Sequence, residues 1–353
     1  MKQEEFFELY TSAVNETQPN PATLWQARVH KHIKRTRASK AALLAQRITN
    51  HIQIGTREEI AMLSEPISAF GMDYYVALDD LDSLFEQIGS TIRFAVIYLT
   101  NNHVAKIPCD HLYRLFISED ICVIGRDFDN HHWTIGSKLL ALSSDVYAPA
   151  HRDNHGVALT YGTIVVDSVP TGVTQWSYEF IQSKIKFLPY KRADGPLGKH
   201  YFYQNFTLRN SLVSHLSKWF KDVSLHRHDY HGSTHEARWS EWISYKTHWI
   251  VPVSHDLPIR FFDALVTGGI PIICSDISSY IDMIGVPQRF YCSYSPNDVF
   301  SPEDVVVSAI KMFDDEGLEG MVSRALYTLS KFHYSRLSRY VWDAYLRRIL
   351  RGI

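Results

Sequence analysis

The chain has 353 residues, of which 45% are hydrophobic and 21% charged, and its formal net charge is −2. This length is sufficient for two α/β domains of ordinary size, and this composition is typical of a soluble globular protein. A protein that binds nucleic acid over its surface is usually strongly basic, so the charge balance argues against nucleic acid as a partner.

The four cysteines are widely separated, at positions 109, 122, 274 and 292. No Cys-x-x-Cys pair occurs, so neither a zinc site nor a redox motif is indicated, and we expect buried free thiols in a reducing compartment. No apolar run approaches the ~20 residues that a membrane span needs, and the polar start MKQEEFFELY does not resemble a signal peptide. These observations predict a cytoplasmic protein.

The first sixty residues predict a short helix over Glu4–Val14 and a long helix over Leu24–Ile54. The second helix carries seven Lys and Arg residues between positions 28 and 47 and no acidic residue. Such a helix fits two interpretations. It contacts anionic lipid at the inner face of a membrane, or it is a solvated face beside an acidic neighbour, with its apolar residues forming an ordinary core stripe.

The remainder of the first half alternates predicted helices with apolar strands. Thr56 followed by Glu59 has the spacing of a helix capping box and predicts a helix over 56–63. A further helix is predicted over 81–89. Strands are predicted over 74–78, 93–100, 121–125, 145–147 and 162–166. This alternation predicts a parallel sheet with helices on its faces.

The segment from Lys186 to Lys199 is rich in Pro, Gly and charge, and it predicts a domain boundary. After it, the patterns predict helices over 209–220, 239–246, 260–267, 277–284 and 302–316, and a long or broken helix over 318–351. Strands are predicted near 223–225, 249–253, 270–274 and 290–294. The second half therefore reads as another α/β domain.

Residues 255–273 are the most informative stretch, since they read as a loop, a helix, a tight glycine turn and a buried strand. The string Asp263-Ala264-Leu265-x-x-Gly268-Gly269-x-Pro271 resembles the donor-binding helix of GT-B glycosyltransferases. In that family an acidic side chain at the position of Asp263 holds hydroxyl groups of the donor ribose or sugar. The usual family pattern is Glu-x7-Glu, whereas this chain has His255 in the first position.

The resemblance covers about 195–335 and implies an α/β fold of two Rossmann-like domains that face each other across a cleft. The implied domains are an acceptor-side domain with a helical N-terminal extension over 1–190 and a donor-binding domain over 196–335. A C-terminal helix over 336–353 is expected to return to the first domain.

Cleavage of a sugar–phosphate bond develops negative charge on the phosphate, and the family stabilises that charge with cationic side chains and a helix N-terminus rather than a metal. Three cationic side chains are predicted at crevice-facing ends of the second domain, namely Lys199, Arg209 and Arg260. Arg209 stands where the family often has a phosphate-binding arginine. The remaining predicted donor or phosphate ligands are His255, Asp256, Asp263, Gly268 and Gly269.

A polar segment follows the strand ICVIG of the first half, where crevices of open α/β sheets form. Asp127, Asp129 and His131 are candidates for the base that activates an acceptor hydroxyl. The same three residues have ligand types that suit a metal, although their spacing matches no closed zinc pattern, and a structural turn is the third interpretation. The predicted acceptor-binding residues are His132, Trp133 and His151.

The resemblance thus implies a metal-independent glycosyltransferase without a cofactor. Its substrates are a nucleotide-sugar or other sugar-phosphate donor and a glycan or lipid-linked acceptor, and surface polysaccharide assembly is its expected pathway. Two alternatives remain open. One is a phosphoribosyl-diphosphate-using transferase or sugar-nucleotide epimerase on the same fold, and the other is a non-catalytic glycan-binding scaffold.

Overall fold

Parallel sheets with helices between their strands form both halves of the chain. The computed structural model describes residues 2–15, 60–63, 75–76, 81–88, 94–128, 135–151, 164–165, 169–204, 206–227, 234–253 and 256–337. They divide into two units: unit 1 ends at Val169, and unit 2 extends from Pro170 to Leu337. The predicted α/β class with two Rossmann-like domains is confirmed. The division falls earlier than the predicted boundary, so residues 170–190 belong with the second unit.

The described part of unit 1 contains six short strands. Its elements are α1 (Gln3–Asn15), β1 (Ile60–Leu63), β2 (Tyr75–Val76), α2 (Leu81–Gln87), β3 (Phe94–Thr100), α3 (Asn101–Val104), α4 (Cys109–Ile117), β4 (Ile121–Asp127), α5 (Ile135–Ser143), β5 (Val146–Pro149) and β6 (Ile164–Val165). The strands pair in parallel in the order β2-β1-β3-β4-β5-β6. Every residue of β4 is buried, as expected for an inner strand that helices cover on both faces.

The helix predicted over 56–63 is wrong in its described part, because Ile60–Leu63 is strand β1. This strand lies between β2 and β3, and its register places Ile60 beside Phe94 and Leu63 beside Ile97. The Thr56–Glu59 spacing is a local signal, and pairing on both sides of a four-residue apolar run outweighs it. The long basic helix predicted over 24–54 lies outside the described residues.

Unit 2, in the residues that the structure describes, contains five strands and a long C-terminal helix. Its elements are α6 (Tyr178–Ile185), β7 (Ala193–Tyr201), α7 (Thr207–Leu216), β8 (Val223–His226), α8 (His235–Trp242), β9 (Tyr245–Ile250), α9 (Ile259–Val266), β10 (Ile270–Cys274), α10 (Ser278–Met283), β11 (Cys292–Tyr294) and α11 (Pro302–Phe332). Helix α11 is interrupted at Gly317, which has a φ of 62°. The C-terminal helix predicted over 336–353 lies outside the described residues from 338 onward.

Strand β7 occupies the segment that its Pro and Gly content predicted to be a linker. It lies between β8 and β9 in the sheet. Pro196 is tolerated because β8 pairs with β7 only from Gly198 onward, so Pro196 has a neighbouring strand on one side alone. Gly198 lacks a side chain where Val223 and the carbonyl of Trp249 approach closely; an added Cβ would lie 3.0 Å and 3.2 Å from their atoms.

In each sheet, the direction in which successive strands are added reverses at one point, the switch point. In unit 2 the order β11-β10-β9-β7-β8 means that the chain moves outward from β7 to β8 and then crosses to β9. The connections that leave β7 and β9 therefore diverge and open a crevice at the carboxyl ends of these two strands, where open α/β sheets bind ligands. Unit 1 repeats this order, with its switch between β1 and β3.

Helix α9 is anchored at its carboxyl end. Arg324 Nη2 donates to the carbonyl of Gly268 over 2.9 Å, and Arg192 Nη2 donates to the carbonyl of Thr267 over 2.9 Å. Two buried guanidinium groups thus satisfy carbonyls that a helix end leaves without intrahelical partners, and their charge complements the helix dipole. Gly268 ends the helix with a φ of 79°, which disfavours a residue with a Cβ.

We expect Gly268→Ala to lower the free energy of unfolding by about 1–3 kcal/mol. The new Cβ would lie 2.5 Å from Met321 Cγ, in addition to the strain of the positive φ. Chemical denaturation measures the change. Gly195→Ala is the matched control, because no atom beyond its chain neighbours lies within 4 Å of the place that its Cβ would occupy. Equal losses of stability in the two variants would contradict the role of Gly268 in ending the helix.

The four cysteines are free thiols; Cys122 and Cys292 are buried, whereas Cys109 and Cys274 are partly exposed. Among the described helices, none combines the length and the apolar character required to cross a membrane.

Candidate functional site

Arg209 stands at the switch point of the unit 2 sheet. Its Nη1 donates to the carbonyl of Tyr201, the last residue of β7, over 2.7 Å. Its Nε donates to the carbonyl of Val251, which directly follows β9, over 3.3 Å. One guanidinium therefore joins the carboxyl ends of the two strands that border the crevice. A guanidinium has five N–H donors, so these two bonds do not exhaust it.

A second cation and a buried imidazole lie near Arg209. Burial lowers the pKa of His200 well below its usual value, and the nearby charges of Arg260 and Arg209 add to the shift. Burial also lowers the pKa of Arg209, with Tyr203 and Asp256 opposing the shift. His200 is consequently neutral, and the two arginines keep the site positively charged.

The N-terminus of helix α9 belongs to the same group. Its N-cap residue is Pro258, which supplies no side-chain cap hydrogen bond, and Arg260 lies in the first turn. The preceding loop is held by Asp256, which is buried and whose Oδ1 accepts a hydrogen bond of 2.6 Å from the backbone N–H of Val253. The site thus combines two arginines with the positive end of a helix dipole, a pattern that suits an anion.

Asp263 lies one turn further along α9 and is only 3% exposed. Its Oδ1 has no hydrogen-bond partner among the described residues. Burial raises the pKa of Asp263 to about 8, although Arg260 and Arg238 oppose the shift. A buried carboxyl group with an unsatisfied oxygen is costly to a fold, and such groups concentrate at functional sites.

Lys199 lies on β7 next to His200, and its ammonium group forms an ion pair with Glu241 of α8. The neighbouring His226 has a pKa lowered by burial and by the charges of Lys199 and Arg260. Glu241 offsets part of the Lys199 charge. The predicted role of Lys199 in phosphate binding is therefore less direct than that of Arg209.

Gly268 and Gly269 lie at the opposite end of α9 from Arg260. An added Cβ on Gly269 would lie 2.5 Å from Nε2 of the buried His248, and Gly268 accepts hydrogen bonds from Arg324. Both glycines are explained by the packing of the helix end against its neighbours. The contact of these two glycines with a phosphate stays a prediction.

In unit 1, Asp127 is the last residue of β4 rather than part of a polar loop, which corrects the expected strand end at Gly125. It is fully buried and accepts a hydrogen bond from the Tyr147 hydroxyl. Pairing with Pro149 of β5 extends the strand to this position. His151, two residues beyond β5, is also buried. Asp129, His131, His132 and Trp133 lie outside the described residues, as does His255 of unit 2.

The structure adds two residues to the group that the sequence predicted, His200 and Tyr203. Burial raises the pKa of Tyr203, and the charge of Arg209 opposes this shift, so its hydroxyl lies within electrostatic reach of the arginine. His200 lies near the end of an otherwise ordinary strand. No local signal marks either residue, because β7, which contains His200 and ends two residues before Tyr203, was not predicted from the sequence.

Comparisons with known proteins leave the family open. No protein-family model matches the chain, and no curated protein matches it. Among solved structures, the sucrose-phosphate synthase of Thermosynechococcus elongatus is similar over 79% of this chain and 82% of its own, with 9% identity and a TM-score of 0.44. This likeness is too weak to support a function, so the fold and the site rest on the geometry described above.

Proposed function

We propose that the chain is a glycosyltransferase that moves a sugar from a nucleotide-sugar or other sugar-phosphate donor to a glycan or lipid-linked acceptor. The observation that carries the proposal is the position of Arg209, whose guanidinium joins the ends of β7 and β9 at the switch point. A ligand held there would have a phosphate group, because Arg209, Arg260 and the N-terminus of α9 all favour an anion.

The proposed chemistry needs stabilisation of a leaving phosphate. As the glycosidic bond to the donor breaks, negative charge grows on the phosphate oxygens, and fixed cations close to that charge lower the barrier. Arg209 and Arg260 take this role in the proposal, so no metal ion is required. Asp263 is proposed to accept hydrogen bonds from hydroxyl groups of the sugar donor, through its unsatisfied Oδ1.

The acceptor side is proposed to lie on unit 1. The candidates for the base are Asp127, Asp129 and His131, of which Asp127 is held by the Tyr147 hydroxyl. His132, Trp133 and His151 are proposed to contact the acceptor. A lipid-linked acceptor would be consistent with contact between the basic segment 28–47 and an anionic membrane, and surface polysaccharide assembly is the proposed pathway by family analogy.

Isothermal titration against a panel of nucleoside mono- and diphosphates and sugar nucleotides, with EDTA present throughout, tests the proposal. We expect one nucleotide series to bind and its sugar nucleotide to be hydrolysed slowly or transferred. Binding that persists in EDTA agrees with cationic side chains as the phosphate ligands. If none of the compounds binds, the protein is not a transferase of this kind, and the interpretation as a non-catalytic glycan-binding scaffold is favoured instead.

A further inference from the structure

Three aromatic rings lie at and just after the carboxyl end of β7, which ends at Tyr201. The rings of Tyr201 and Tyr203 have centroids 5.2 Å apart at an interplanar angle of 73°. Tyr203 and Phe206 are 6.0 Å apart at 87°. Each pair packs edge to face, which is a favourable arrangement of aromatic quadrupoles. Tyr201 nevertheless leaves 39% of its surface exposed, so the group is not an ordinary part of the core.

The phosphate-binding candidate lies against these rings. The Arg209 guanidinium carbon is 5.2 Å from the Tyr203 ring centroid, within the range of a cation–π contact. The same guanidinium donates to the carbonyl of Tyr201. A cation that suits an anion and a partly exposed aromatic surface are therefore adjacent on one short segment.

The backbone of Tyr203 is hydrogen-bonded to helix α7. Asn210 is buried on α7, and its side-chain Nδ2 donates to the carbonyl of Tyr203 over 2.6 Å. Its Oδ1 accepts from the backbone N–H of Tyr203 over 3.4 Å. Phe206 N–H also donates to the Tyr203 carbonyl over 3.1 Å. Because the backbone of Tyr203 is held in this way, a ligand that binds beside it loses little free energy in ordering that backbone.

We propose that Tyr201, Tyr203 and Phe206, here called the aromatic platform, form a subsite for a ring that is covalently joined to the phosphate bound by Arg209. The ligand class is a ring-bearing phosphate ester. Its ring, a nucleobase or the sugar itself, lies against the exposed surface of Tyr201. This inference rests on the proposed function, which supplies the phosphate bound by Arg209. It adds that the protein recognises the ring of the ligand as well as its phosphate.

The test compares three ligands by isothermal titration on the full chain: inorganic pyrophosphate, the nucleoside diphosphate that binds best, and a hexose 1-phosphate. The variants are Tyr201→Leu and, as the control, Phe187→Leu, which removes another exposed ring of unit 2 (76% exposed). Phe187→Leu should leave the thermal unfolding temperature unchanged. Tyr201→Leu should lower it by a few degrees at most, because leucine keeps an apolar side chain and loses only the edge-to-face contact with Tyr203.

Stacking on one aromatic side chain is worth about 1–3 kcal/mol, which corresponds to roughly 5- to 150-fold in affinity. We expect Tyr201→Leu to weaken the ring-bearing ligand by about 5- to 30-fold within this range and to leave pyrophosphate binding unchanged. Loss for the nucleoside diphosphate alone identifies the base as the stacked ring, and loss for the hexose 1-phosphate alone identifies the sugar.

Two further outcomes overturn the inference, and they differ in what they say about the function. If pyrophosphate binds as tightly as both ring-bearing ligands and Tyr201→Leu changes none of them, the platform has no role while the phosphate site stands. If pyrophosphate and both esters fail to bind the unmodified chain, the proposed function fails together with the platform.

Discussion

Arg209→Ala is expected to weaken binding of the nucleoside diphosphate by at least about 150-fold, since an arginine that contacts phosphate contributes two charge-assisted hydrogen bonds of roughly 1.5–3 kcal/mol each, or about 3 kcal/mol at the low end. Its guanidinium stands between the ends of β7 and β9, where a ligand at the switch point would lie. Arg209→Lys keeps the charge and loses the planar fork, so its affinity should be intermediate. Isothermal titration measures both.

The structural part of the Arg209 effect needs a separate measurement, because the alanine variant also leaves the carbonyls of Tyr201 and Val251 without this donor. Thermal unfolding of each variant reports that loss. Arg289→Ala is the matched control, since Arg289 is an exposed arginine of the same unit with a long 4.0 Å contact to Glu316. Unchanged affinity in a folded Arg209→Ala protein would remove the observation that carries the proposed function.

Asp263→Asn is expected to stabilise the fold increasingly as the pH rises. The folded-state pKa of Asp263 is about 8, against an ordinary value of 3.8. Between these values the native state binds the proton that the unfolded state has lost, so stability of the unmodified protein falls as pH rises. The asparagine variant lacks this titration. Its advantage should be small near pH 4 and reach on the order of 5 kcal/mol above pH 8.

Chemical denaturation at pH 5, 7 and 9 measures this trend, and Glu319→Gln, which replaces an exposed carboxyl group of the same unit, is the surface control. The proposed function adds a second expectation. Above pH 8, where Asp263 is ionised, Asp263→Asn replaces one acceptor oxygen of the carboxylate with an N–H group. Affinity for the sugar donor measured at pH 9 should therefore fall about tenfold while stability rises. A stability difference that is constant from pH 5 to pH 9 would contradict the burial-driven shift.

The sequence predicted most of the elements that apolar periodicity defines and missed those that depend on neighbours. The strand predicted over 270–274 is β10 without adjustment. Strand β7 was missed because Pro196 and Gly198 are strand-breaking residues in isolation. Their acceptance depends on where β8 begins to pair and on how closely Val223 approaches, and neither fact is local to the segment.

In the candidate site, too, the sequence identified residues with a local signal and missed those whose position depends on neighbouring strands. Arg209 was identified from its place at a helix start, and α7 begins two residues earlier, at Thr207. His200 could not be identified, because its proximity to Arg209 and Arg260 arises from the sheet order. Gly268 and Gly269 were predicted from a motif to be donor or phosphate ligands, and the structure places them at the end of α9 opposite Arg260.

Helix α9 is held unequally at its two ends. Arg192 and Arg324 fix the carbonyls of Thr267 and Gly268, whereas the other end starts at a proline without a side-chain cap. Backbone adjustment to an arriving ligand would then be confined to the first turn, around Arg260, while Asp263 pivots little. The carboxyl end of the helix would stay fixed while its first turn moves. Amide hydrogen exchange should therefore be slowest at the arginine-bound end.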